Sequence, residues 1–265
     1  MSKKSDIIYM ARIAEKAERY NEMKEYMYKV ASTPDPETGK VDLTNEERNL
    51  LSIAYKNVVN NKRVSWRILS QHIQKESKKE SSPYLQDIID FMRNVEKELI
   101  EVCTEILGLL GDYLIPGAKD GSQKVFYWKL KGDYYRYVCE FEKDEKQEET
   151  KKNAREAYQA AMDIGKEEKL NSTNPIMLGL ALNFSVFYYE IEGDSQKVCI
   201  VLLGLLVVIS RLVILPVMRT MMLSVVLRPF LRAITKTPPL SCSFSVITLL
   251  FGELERRLLN NVYQC

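Results

Sequence analysis

From Lys3 to Ser195 apolar side chains recur at three- and four-residue spacing, segment after segment. No stretch alternates with period two for long enough to make a strand, so the pattern commits the chain to an all-α fold. Ile8, Ala11, Ala14 and Ala17 make one stripe, and Met23, Met27 and Val30 the next. Ser32–Asp42 breaks the pattern with two prolines, a glycine and turn formers. A long helix follows, opened by Thr44 and Glu47 at the spacing of a capping box. "KKESSP" (Lys78–Pro83) separates it from the helix "YLQDIIDFMRNVEKELIEVCTEILGLL". A loop is expected over Ile115–Gln123, then helix through "KVFYWKLKGDYYRYVCEFE". The charged run 142–153 leads into "AREAYQAAMDIG", and "NSTNP" into "IMLGLALNFSVFYYEIEG". No repeat of solenoid period occurs.

Charge divides the chain. Its net charge of +2 gives no case for nucleic acid. That balance conceals 7 basic and 2 acidic residues after Lys197, a tail of +5 behind a segment of −3. Two regions are therefore expected, 1–197 and 198–265. "MSKKSDII" has no apolar core of a signal peptide. The single histidine, His72, leaves no His-based triad or multi-His metal site, and the five cysteines have neither paired nor metal spacing. With no visible nucleophile–base pair, the expectation is a chain that is no enzyme and has no metal or cofactor.

Basic residues inside apolar helical frames are the candidates for function. Lys56 and Arg63 are seven residues apart, about two turns, and share a helix face. Arg136 and Tyr137 adjoin in "GDYYRYVCE", with Lys129 two turns earlier. An arginine fork, a lysine point charge and a phenol suit a phosphate dianion. Taken on their own, the same residues also fit solvated charges on amphipathic helices. The aromatic string Phe126, Tyr127, Trp128, Tyr134, Tyr135 and Tyr137 likewise fits either core or a stacking platform.

"EERNLLSIAYKNVV", "KVFYWKLKGDYYRY" and "LGLALNFSVFYYEI" resemble the signature segments of the 14-3-3 family, in the family's order, and "MARIAEKAERYNEM" resembles its first helix. The resemblance spans about residues 5–197. It implies a nine-helix antiparallel fold, of which about seven helices are expected here. It also implies a dimer and a groove for phosphoserine or phosphothreonine peptides, hence phosphorylated client proteins as partners. By that match Lys56, Arg63, Arg136 and Tyr137 take the phosphate. Lys129, Leu182, Asn183, Val186 and Glu190 line the groove, and Asn183 holds the peptide backbone. Ile13, Ala14, Arg19, Phe91 and Glu98 fall at the dimer interface, Arg19 and Glu98 as an ion pair between subunits. The family implies homo- or heterodimers and a location in the cytoplasm, with the nucleus as a second compartment. Phe91 and Asn94 stand where many members have tyrosine and lysine, so a bridge from Glu22 to position 94 is lost. Met177 replaces the usual arginine before "LGLALN", and nothing in the sequence explains it.

After Lys197 the resemblance stops. The codons allowed for Ile234–Gly252, read from the third base of each, permit a close copy of the family's last helix, and Phe251-Gly252 then yields only Trp or Arg where the family has Trp. Val198-Cys199 permits a 5′ splice site and Ser210-Arg211 a 3′ site. The span between is thirteen codons and two bases, not a multiple of three. Val198 to about Arg211 therefore reads as a retained intron and the rest as out of frame, replacing the family's last two helices and compromising its binding function. The rival reading is a helical scaffold tethered by a membrane anchor. Val198–Ile209 is only 12 residues, whereas a span needs about 20. Lengthening it buries Arg211, so no membrane partner is expected.

Overall fold

Thr44 begins the longest helix with a reciprocal cap. Its hydroxyl accepts from the Glu47 amide at 3.2 Å, while Glu47 Oε2 accepts from the Thr44 amide at 3.0 Å. The capping box expected from the sequence is thus present, and Lys4 Nζ ties the first helix to it at 2.9 Å from Glu47 Oε2. The computed structural model describes residues 4–79, 82–171, 174–194, 196–198 and 201. Among these there is no strand.

The chain divides into two units, Met1–Lys169 and Leu170–Cys265. The first holds α1 (Lys4–Lys16), α2 (Tyr20–Ala31), α3 (Asn45–Glu76), α4 (Leu85–Leu109), the single turn α5 (Ile115–Gly117), α6 (Gly121–Cys139) and α7 (Asp144–Glu167). Short connections bring each long helix back along its predecessor, α2 on α1, α4 on α3 and α7 on α6. Their apolar stripes meet in one core. Met23, Met27, Leu51, Tyr55, Leu99, Ile106, Leu109 and Tyr134 are all essentially sealed from water. Each such side chain is worth about 1.5–3 kcal/mol of burial.

Three features depart from the sequence expectation. A π-helical turn, Leu110–Leu114, and then α5 continue the line of α4, so the expected loop narrows to the residues before Gly121. Its last turn is set by Asp120, whose carboxylate accepts from the Gln123 amide at 2.8 Å. The charged run from Asp144 is itself helical, stitched by pairs such as Lys151–Glu148 at 2.6 Å. Gly117 lies where a Cβ would meet the Val41 carbonyl oxygen at 2.2 Å, so only glycine lets α5 approach that strandless loop.

The break at Ser32–Asp42 is folded around Asp35. Its Oδ1 accepts from the amides of Glu37 and Thr38, each at 2.9 Å, and Gly39 supplies the left-handed φ of +65°. In the second unit α8 (Pro175–Phe187) starts under an Asn174 cap, whose side chain accepts from the Ile176 amide at 2.9 Å. A second π-helical turn, Tyr188–Glu192, ends it at Gly193. The tail expectations fall on residues almost wholly outside those described. Among the described residues no helix is long and apolar enough to cross a membrane.

Candidate functional site

α3 and α6 carry the four residues singled out for phosphate. Lys56 and Arg63 lie two turns apart on α3, and Arg136 and Tyr137 lie near the end of α6. Tyr137 is the meeting point. The Arg63 guanidinium sits 4.4 Å from its ring centroid and that of Arg136 sits 4.8 Å away. The negative face of the ring attracts both cations. Lys56 contributes an exposed side chain earlier on the same helix as Arg63.

Two like charges on one ring need anions close by, and two carboxylates supply them. Glu140 takes the side edge of Arg63: Nε donates to Oε2 at 3.0 Å and Nη2 donates to Oε1. Arg67 Nη2 reaches the same carboxylate at 3.4 Å. Asn60 Oδ1 accepts from Arg63 Nη1 at 3.3 Å.

The second carboxylate is Asp133, 4% exposed within α6. Its Oδ2 accepts from Lys129 Nζ at 2.8 Å and its Oδ1 from the Tyr158 hydroxyl at 2.6 Å. That hydroxyl in turn accepts from Arg136 Nε at 3.3 Å. Burial pushes the Asp133 carboxyl up, but the charges of Lys129 and Arg136 outweigh it and hold it below its ordinary 3.8. Burial, and then the Asp133 charge, raise the Tyr158 phenol well above 10. Burial raises the Tyr137 phenol too, against the pull of Arg136. Both phenols therefore keep their protons and remain donors.

Lys129, expected in the groove, thus lies on α6 and is held by Asp133. Leu182, Asn183 and Val186 lie on α8 and Glu190 in the π-helical turn after it, all in the second unit. Asn183, Val186 and Glu190 follow each other at helical spacing, so they share one face. Of the residues assigned to a dimer, Phe91 is 60% exposed and Ile13 partly so, beside further exposed apolar side chains, Tyr9, Met10, Val64, Ile68 and Tyr84. Ala14 packs into the chain's own core. Arg19 pairs within the chain with Glu22, and Glu98 with Lys62 at 2.5 Å. The sequence reading passed over Asn60, Arg67, Asp133, Glu140 and Tyr158. Asp133 carried a local signal, its i,i+4 spacing from Lys129, and so did Asn60 and Arg67, three residues before and four after Arg63 on the same helix.

This arrangement, on helices of this order, has relatives. The family model described as 14-3-3 protein matches residues 10–203. The chain belongs to the 14-3-3 family. It is 48% identical over 198 residues to the 14-3-3-like protein GF14 chi of Arabidopsis thaliana, covering 75% of this chain and 72% of that one. It is 48% identical over 198 residues to the 14-3-3 protein 6 of Solanum lycopersicum, covering 75% of each. To the 14-3-3-like protein GF14-F of Oryza sativa subsp. japonica it is 49% identical over 192 residues, covering 72% of each. Members of the 14-3-3 family are adaptors rather than enzymes, and this chain is read as one of them.

Proposed function

We propose that this 14-3-3 chain binds phosphoserine or phosphothreonine peptides of client proteins, with Lys56, Arg63, Arg136 and Tyr137 taking the phosphate. The observation that carries the reading is the convergence of Arg63 and Arg136 on the Tyr137 ring, one from α3 and one from α6. Lys56, Arg63, Arg67, Lys129 and Arg136 supply cationic groups of the kind a phosphate dianion recruits, Arg63 and Arg67 held by Glu140 and Lys129 by Asp133. Lys129, Leu182, Asn183, Val186 and Glu190 serve the peptide flanking the phosphate.

The chain works as a homo- or heterodimer through the apolar side chains exposed on α1, α3 and α4, in the cytoplasm and also the nucleus. Arg19 and Glu98 exchange their in-chain partners for each other across the interface, an exposed pair of modest strength. Sedimentation at micromolar concentration checks this, with a dimer expected and a strictly monomeric species against it. Residues 1–197 form the 14-3-3 domain, and an aberrant tail from Val198 stands in place of the family's last two helices, so binding is weakened. Titrating a phosphoserine peptide and its unphosphorylated twin into the full chain tests the binding itself, with preference for the phosphorylated form expected.

A further inference from the structure

Gly132 and Tyr158 approach so closely that no side chain fits between them. A Cβ on Gly132 would lie 2.7 Å from Cδ1 and 2.8 Å from Cε1 of the ring. The missing Cβ lets the ring, carried by α7, lie against α6 one turn before Arg136. The ring is wholly buried, and its hydroxyl emerges beside Asp133 Oδ1 at 2.6 Å and Arg136 Nε at 3.3 Å.

We propose that Tyr158 is a positioning residue for phosphate recognition: its hydroxyl, held by Asp133, fixes the Nε edge of Arg136 and so sets how that guanidinium meets a phosphate dianion. The inference rests on the phosphopeptide reading above. An arginine side chain has many rotamers to lose on binding, and fixing it before the ligand arrives improves affinity. A neutral phenol suits the task. It accepts one N–H yet leaves the guanidinium its full charge, whereas a carboxylate in that place competes with the phosphate. Asp133 in turn fixes the phenol, because its strong acceptor orients the hydroxyl proton away from Arg136 and turns a lone pair toward it. The other oxygen of Asp133 holds Lys129. One buried carboxylate is thereby the common anchor of the groove lysine and, through Tyr158, of the phosphate arginine.

The test uses the full chain and a fluorescent phosphoserine peptide with its unphosphorylated twin. Tyr158→Phe keeps the ring and removes the hydroxyl; Arg136→Lys keeps the charge and removes the Nε–H. Tyr158→Phe should weaken phosphopeptide binding roughly tenfold, as loss of a hydrogen bond to a charged group does, and leave the unphosphorylated twin unchanged. In an Arg136→Lys background the same substitution should change affinity less than about twofold, because its route is gone. Equal losses in both backgrounds, or an unchanged phosphopeptide affinity in Tyr158→Phe, overturn the proposal. A second measurement needs no Tyr158 variant: the Arg136 Nε–H resonance, identified by its absence in Arg136→Lys, should exchange slowly with water, and rapid exchange overturns the proposal. A parent chain that binds both peptides equally removes the phosphopeptide reading as well. A phosphate-selective parent with an unaffected Tyr158→Phe form removes this inference alone.

Discussion

Arg63 turns its Nε edge toward Glu140, with Nε donating to Oε2 at 3.0 Å and Nη2 to Oε1. A guanidinium has five N–H donors, of which Glu140 takes two and Asn60 one. The remaining two are those a phosphate requires for a bidentate grip. Arg63→Lys keeps the charge but loses the fork, so it should weaken phosphopeptide binding about tenfold. Fluorescence anisotropy reads this directly. A lysine variant that binds like the parent refutes the fork geometry.

The helices were legible because their stripes repeat, and the Thr44 and Glu47 cap because both members lie within one turn. The π-helical turn at Leu110 was not, since nothing in "LGDYL" distinguishes it from ordinary helix. The site divides the same way. Lys56 and Arg63 share a helix and could be placed on one face from spacing, but their assignment to phosphate came from the family resemblance. Glu140 lies 77 residues from Arg63 and Tyr158 lies 25 from Asp133. Such pairs form only when separate helices pack, so no local pattern announces them.

Gly132→Ala should destabilise the fold. The new Cβ overlaps a fully buried ring, and overpacking of this kind costs about 1–3 kcal/mol. Urea denaturation checks the value. A variant as stable as the parent means that the ring moves freely, and with it the hydroxyl beside Arg136.

Asp133 gives the fold an acid dependence. Its folded carboxyl is held below 3.8 by Lys129 and Arg136 in spite of burial. Its contribution is therefore present above the unfolded value and is lost as pH falls through the lower folded one. Asp133→Asn should lower stability at neutral pH, and the gap to the parent should close in strong acid. A gap that is constant between pH 7 and pH 2 contradicts the ionised bridge.

The tail makes its own prediction. Deleting the thirteen codons and two bases that begin at Val198 should restore the family's reading frame, with tighter phosphopeptide binding and better solubility together. Light scattering and the same titration check both. A transcript survey in which mature messages keep those bases, or a shortened form that binds no better, removes the intron reading.

The most direct test of the account is the paired titration of the full chain with a phosphoserine peptide and its unphosphorylated twin. Charge-assisted bonds to a phosphate are worth about 1.5–3 kcal/mol each, so the phosphorylated peptide should bind at least about tenfold more tightly. Arg63→Ala should erase that preference. Equal affinity for the two peptides in the parent chain contradicts the account.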